Sequence, residues 1–211
     1  MAVVGIVPAG GSGERLGADR PKAFVVCAGR PLIEWSLEAL APVCDRVVVA
    51  APDGYEDGPD RVRGGESRSA SVRNAVAAVD EADVFVVHDA ARPLVTRELV
   101  ERCIDALEPG VDGAIAAVPM TDTVKEVATD GRVLRTLDRS TLWAIQTPQV
   151  FRADMLRSAL QRDAAALSAA PDDAALVDAA GGVVTVVESF PENLKVTRES
   201  DLRIAEALLA H

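Results

Sequence analysis

Short apolar runs recur along this chain, and between them the apolar positions spread out to helical spacing. Val3 to Pro8, Arg46 to Ala50, Val84 to Val87, Ala114 to Val118 and Val183 to Val187 are brief and rich in valine. Runs of this length and composition predict strands, and their near-uniform apolarity predicts strands covered on both faces. Leu32 to Leu40, Ser67 to Val79, Thr96 to Leu107 and Ser200 to Leu209 carry helical periodicity. Thr96 is placed to cap the third of these, with Glu98 in its first turn. Residues 152 to 180 are alanine-rich and read as helical. Strands alternating with helices predict a three-layer α/β fold around a mainly parallel sheet, with ligands at the carboxyl ends of its strands.

One segment breaks the alternation. Thr123 to Val127 and Arg132 to Leu137 flank Asp130-Gly131, a hairpin signal. The two strands carry many charges and few large apolar groups. A lone hairpin is marginal in water, so this arm, about residues 121 to 139, is expected to pack on something, such as another subunit. No internal repeat or long linker appears, and 211 residues suit one domain spanning 1 to 211.

Composition narrows the functional classes. The net charge of −11 disfavours long polyphosphates, so no nucleic-acid partner is expected. Aromatics, at 3%, are too scarce for a base-stacking platform. Cys27, Cys44 and Cys103 form no CxxC pair, which argues against a zinc site or a disulfide framework. With no apolar run near membrane-spanning length and no basic leader, the expectation is a cytoplasmic protein without a membrane partner.

An acidic chain that binds a small phosphate compound must gather cations locally. The first strand empties into Pro8-Ala9-Gly10-Gly11-Ser12-Gly13-Glu14-Arg15-Leu16-Gly17, followed by Pro21-Lys22. Glycines let backbone N–H groups approach a phosphate. The glycines alone fit a plain strand-to-helix turn equally well. A dinucleotide fingerprint fits worse, because Leu16 holds its third glycine position and no acidic residue closes a second strand at the expected offset. Arg15 and Lys22 flank the loop as a cation pair. The chain has 19 Arg but only three Lys (Lys22, Lys125 and Lys195), and Lys22 and Lys195 stand among motif-like neighbours. Asp89, just after the third strand, lies on the ligand edge, suited to Mg²⁺ or to capping a turn. His88 reads as a packed or orienting residue. Gly64-Gly65-Glu66-Ser67-Arg68-Ser69-Ala70-Ser71 reads first as a helix start capped by Ser67.

In this order these segments resemble one family, the 2-C-methyl-D-erythritol 4-phosphate cytidylyltransferases. To those already quoted are added Val87-His88-Asp89-Ala90-Ala91-Arg92-Pro93, Asp122-Thr123, Asp138-Arg139, Thr147-Pro148-Gln149 and Asn193-Leu194-Lys195-Val196-Thr197. The resemblance covers nearly the whole chain. It implies a Rossmann-like nucleotidyltransferase fold of the glycosyltransferase-A type with a protruding hairpin arm. It also implies a homodimer whose arms hook round each other, a Mg²⁺ cofactor, and CTP and a small sugar-alcohol phosphate as ligands.

Carried over residue by residue, Arg15, Lys22 and Lys195 match the catalytic cations. Pro8, Ala9, Gly10, Gly11, Ser12 and Gly13 match the loop that wraps the CTP phosphates. Gly65, Glu66 and Ser71 match the cytosine site, and Asp89 the carboxylate on the metal side. Arg92, Thr123, Arg139 and Thr147 match residues holding the sugar phosphate, Thr123 and Arg139 reaching it from the partner subunit. Glu192, Pro171 and Glu66 depart from commoner family choices. Three rivals stand beside this reading: a ribitol-5-phosphate cytidylyltransferase with most of the same motifs, an NAD(P)-dependent oxidoreductase, and a non-catalytic nucleotide-binding regulator.

Overall fold

The structure, a computed structural model, describes residues 1–17 and 19–210, the side chain of Arg15 excepted. The strands are β1 Val3–Pro8, β2 Val26–Cys27, β3 Arg30–Pro31, β4 Arg46–Ala51, β5 Arg61–Arg63, β6 Val84–Val87, β7 Gly113–Pro119, β8 Lys125–Val127, β9 Val133–Thr136, β10 Trp143–Arg152 and β11 Val184–Glu188. The helices are α1 Leu32–Leu40, α2 Arg68–Ala77, α3 Arg97–Asp105, α4 Ala153–Ala159, α5 Ala164–Ala169, α6 Asp173–Asp178 and α7 Glu199–Leu209.

Seven strands make the main sheet, in the order β11-β7-β10-β6-β1-β4-β5. Every neighbouring pair is parallel except the two made by β10, which runs antiparallel to both β6 and β7. The expected mainly parallel sheet is therefore present, with one reversed strand near its middle. Side chains alternate between two cores. Val4 and Ile6 of β1 join Phe85 and Val87 against α2, α4, α5 and α6. Val3 and Val7 join Val84 and Val86 against α1 and α3. Helices thus cover both faces, which is why these strands carry so little polar side chain.

Two expectations need correction. Residues 152 to 180 do not form one helical stretch: Arg152 ends β10, and three short helices follow. Asp163 and Asp172 start the second and third of these by accepting the Ala166 and Ala175 amides at 2.8 Å, so short polar side chains divide what alanine content unites. The other correction is β10 itself, which hydropathy did not predict. Gln146, Pro148 and Gln149 interrupt its apolar pattern. Its pairing with β7 shifts between Ile145 and Gln149, and the Thr147–Pro148 peptide is cis. The register shift lets a central strand hold a proline, which a regular ladder excludes.

The arm is the expected hairpin, β8 paired with β9, outside the main sheet and exposed along both strands. Its turn closes with the Ala128 N–H donating to the Arg132 carbonyl at 2.9 Å. Gly131 sits at φ +87°, a left-handed conformation that suits glycine. Val127, Val133 and Leu134 are each more than half exposed.

Candidate active site

The carboxyl ends of β1 and β6 and the segment after β5 open on a cleft of about 260 Å³. Pro8, Ala9, Gly10, Gly11 and Lys22 line one side, Gly65, Glu66, Arg68 and Ser71 another, and Asp89 and Lys195 a third. Segments nearly 190 residues apart in sequence therefore meet in one place, as the sequence predicted. Ser12 and Gly13 line an adjoining hollow that shares Gly11 and Lys22 with the cleft. The glycine-rich loop is pinned at both ends. The Ala9 N–H donates to the Ala50 carbonyl, and the Lys22 N–H to the Gly11 carbonyl, each at 2.9 Å. Glu14 to Leu16 form a single 3-10 turn between Gly13 and Gly17; the Arg15 side chain lies outside the described part of the structure.

The second wall is the start of α2. Ser67 caps the helix, its hydroxyl accepting the Ala70 amide at 3.2 Å. The Ser71 hydroxyl accepts the Gly65 amide at 2.9 Å and donates to the Ser67 carbonyl at 2.9 Å. It thereby folds the Gly65–Glu66 backbone against the helix. A Cβ on Gly65 would come within 2.6 Å of the Ala70 Cβ and 2.7 Å of the Ala70 carbonyl carbon. Only glycine allows this approach, so the segment is more than an ordinary helix start.

Asp89 is the electrostatic centre. Its Oδ1 accepts from Arg68 Nε at 2.8 Å, its Oδ2 lies 2.7 Å from Lys195 Nζ, and Arg92 Nε stands 3.9 Å away. Burial would raise this carboxyl, but Arg68 and Lys195 outweigh burial and hold it far below the usual carboxylate range. Asp173, with no solvent exposure, accepts from Arg68 Nη1 at 2.5 Å. Burial pushes the Asp173 carboxyl up, and Arg68 opposes that shift. Burial likewise works against the charge on Arg68, yet Asp173 and Asp89 together raise its pKa above the ordinary arginine value.

Beneath this cluster His88 is fully buried. Its Nε2 lies 3.2 Å from the Arg92 carbonyl and its Nδ1 3.0 Å from the Thr147 hydroxyl. The Thr147 hydroxyl also accepts the Asp89 amide at 3.0 Å, so its own proton goes to Nδ1. These partners assign the neutral tautomer with hydrogen on Nε2. Burial, only partly offset by Asp89, pushes the His88 pKa down to about 4. The structure places Thr147, only 3% exposed, outside the cleft lining, where its hydroxyl props the Asp89 loop. Arg92 is also buried, its Nη1 donating to the Asn193 carbonyl at 2.7 Å. Asn193 in turn donates to the Gln146 side chain and the Thr147 carbonyl, each at 2.9 Å. The Val196 N–H donates to the Ala91 carbonyl at 2.8 Å, which carries neighbouring Lys195 to the cleft.

Thr123 and Arg139 are not brought to this cleft. Both are exposed at the base of the arm, where Arg139 donates to the Thr121 carbonyl. The sequence reading assigned no role to Arg68 and did not single out Asp173. Arg68 offered one signal: it opens α2, where a cation opposes the helix dipole unless specific anions hold it. Among the described residues no three His, Cys, Asp or Glu side chains cluster as a metal site. Asp89 alone therefore fits a hard divalent ion only if phosphate and water complete its shell, as Mg²⁺ accepts. Among the described residues no helix is long and apolar enough to cross a membrane.

A mainly parallel α/β sheet whose carboxyl edge gathers a glycine-rich loop and two lysines from distant segments defines a protein built to hold a phosphorylated ligand. The family model for 2-C-methyl-D-erythritol 4-phosphate cytidylyltransferase matches residues 3–211. The enzyme of that name from Frankia casuarinae is 45% identical over 219 residues, covering 99% of this chain and 81% of the relative. That from Rubrobacter xylanophilus is 44% identical, covering 98% and 94%. The crystal structure of the Thermus thermophilus enzyme superposes with a TM-score of 0.85 at 35% identity, covering 100% of both chains. The chain belongs to the 2-C-methyl-D-erythritol 4-phosphate cytidylyltransferase family.

Proposed function

We propose that this chain transfers CMP from CTP to 2-C-methyl-D-erythritol 4-phosphate and releases pyrophosphate, a step of isoprenoid precursor biosynthesis. The observation that carries the reading is the meeting of Lys22, Lys195 and Asp89 with the glycine-rich loop around one cleft. An oxygen of the acceptor phosphate attacks the α-phosphorus of CTP. A new P–O bond forms as the bond to the β-phosphate's bridging oxygen breaks. The attacking oxygen is already ionised near neutral pH, so no side chain need remove a proton. The residues instead position two anions and offset charge that peaks at the α-phosphate.

Lys22, Lys195 and Arg15 supply that positive charge, and the backbone amides of Gly10 to Gly13 meet the triphosphate. The Gly65–Glu66 backbone, shaped by Ser71, reads the cytosine. Asp89 would hold Mg²⁺ together with phosphate oxygens, and the ion would neutralise and orient the leaving pyrophosphate. The chain works as one catalytic unit and as a homodimer. Its exposed arm residues Val127, Val133 and Leu134 are covered by the partner, and Thr123 and Arg139 reach the partner's acceptor site. The three cysteines, Cys27, Cys44 and Cys103, are free thiols, which fits a reducing, cytoplasmic setting.

A pyrophosphate-release screen tests the proposal, with CTP, UTP, ATP and GTP each offered methylerythritol phosphate or ribitol phosphate, with and without Mg²⁺. Release is expected only with CTP, methylerythritol phosphate and the metal together. Release with ribitol phosphate alone would move the enzyme to another acceptor, and CTP binding without any release would make it a regulator.

A further inference from the structure

Arg68 spans two carboxylates that do not touch each other. Its Nε reaches Asp89 at 2.8 Å and its Nη1 reaches Asp173 at 2.5 Å. The two carboxylates differ in surroundings. Asp89 lines the cleft, whereas Asp173, at the start of α6, is fully buried and absent from the cleft lining. A buried anion is costly unless a counter-charge is held against it. Arg68 is that counter-charge, so a structural role for the pair is the simplest account. Two details go further. Arg68 lines the cleft beside Asp89, and Asp89 is also the partner of Lys195 Nζ at 2.7 Å. An ammonium paired with a carboxylate at that distance must loosen or share the contact to meet a triphosphate, which leaves Asp89 with one fewer cation.

Resting on the nucleotidyl transfer proposed above, we infer that Asp173 is a positioning residue: it anchors Arg68 so that Asp89 stays fixed when phosphate draws Lys195 away. Asp173 acts on the reaction only through Arg68, Asp89 and Lys195. The charges support the division of labour. With Lys195 engaged elsewhere, Arg68 and Arg92 still balance Asp89 and Asp173. Without Asp173, Arg68 is left facing Asp89 alone on a stem free to turn toward an incoming phosphate. The guanidinium's planar fork serves two carboxylates at once, which an ammonium on a flexible stem does not.

A double-mutant cycle on the whole protein tests this, because Asp173 and Lys195 are linked only through Arg68 and Asp89. Asp173→Asn is expected to lower kcat roughly 10- to 100-fold, the usual cost of losing a group that orients a ligating side chain. KM for CTP is expected to stay within about threefold, as for an effect confined to the transition state. In a Lys195→Ala background, where Asp89 depends on Arg68 throughout, the same substitution is expected to cost at least as much, measured by single-turnover product formation. A loss under about threefold in both backgrounds would overturn the inference and leave Asp173 a structural anion. If Asp173→Asn fails to fold, Arg68→Lys replaces it in the cycle, since it keeps a cation at Asp89 without spanning both carboxylates. A wild-type enzyme that releases no pyrophosphate would refute the proposed activity itself. An active wild type whose kcat is unmoved by Asp173→Asn would refute only the role of Asp173.

Discussion

The cleft and the arm are both rich in charge and use it in opposite ways. At the cleft, Asp89 and Asp173 are nearly or wholly buried, and cations gathered from α2, the β6 loop and the segment before α7 hold them. On the arm, Arg132 pairs with Asp130 at 2.7 Å and Arg135 with Glu126, all four side chains well exposed to water. The geometry of individual pairs is similar, but the surroundings are not. Exposed pairs contribute little because water and salt screen them. Buried pairs are demanding, since losing one partner strands a charge that solvent cannot reach. Charge at the cleft sets conformation and chemistry. On the arm it surrounds the exposed Val127, Val133 and Leu134 with solvated groups.

The contrast is broken hardest by removing a cleft cation. Lys22→Ala is expected to lower kcat by about 100- to 1,000-fold, the scale seen when one donor is taken from developing charge. Thermal unfolding should remain near that of the parent, and near-normal turnover in a steady-state assay would remove Lys22 from its role.

Acid comes next. His88 is held to about 4 by burial, below the ordinary value of about 6.5. Below about pH 6.5 the unfolded chain gains a proton that the native His88 refuses, so its contribution to stability is complete above that pH and drains away toward pH 4. The expected loss is about 2 kcal/mol between about pH 7.5 and pH 5. Asp89 adds nothing to that slope, because its depressed pKa keeps its contribution intact until pH falls to the ordinary carboxylate range. Urea unfolding at the two pH values measures the effect. His88→Gln should flatten the slope, whereas arm variants such as Arg135→Ala should leave it unchanged.

The smallest expected effect belongs to the arm. Arg139→Ala should raise KM for the sugar phosphate about tenfold, the cost of one charge-assisted contact, and spare KM for CTP. Mixing Lys22→Ala and Arg139→Ala subunits should then restore part of the activity, since one of the two sites in a hybrid dimer is intact. No recovery after verified subunit exchange would confine Arg139 to its own subunit.

Much of this contrast could be read from the sequence. The valine runs of β1, β4, β6, β7 and β11 announced a buried sheet, and Thr96 and Ser67 cap the helices where expected. The glycine-rich loop and Asp89 were placed at strand ends on the ligand edge, and Lys22 and Lys195 were singled out among motif-like neighbours. What escaped was held by tertiary partners. Gln146 and Gln149 look wrong for a strand until Asn193 and Asp172 are seen beside them. Asp173 looks like a helix-start aspartate until Arg68 reaches it from 105 positions away. Thr147 is matched to the sugar-phosphate site by resemblance, and only the structure shows that its hydroxyl also props the Asp89 loop.

β10 has one more consequence. It leaves the base of the arm at Trp143, passes under Asp89 at Thr147 and ends at Arg152, bonded to a neighbour on each side. Lengthening the turn at 128 to 132 by a residue changes only a tip, whereas adding one within 143 to 152 would swap the inward and outward sides of the rest of β10. Tolerance of length change should therefore stop abruptly at Trp143, and an insertion scan along residues 121 to 152 would show that edge.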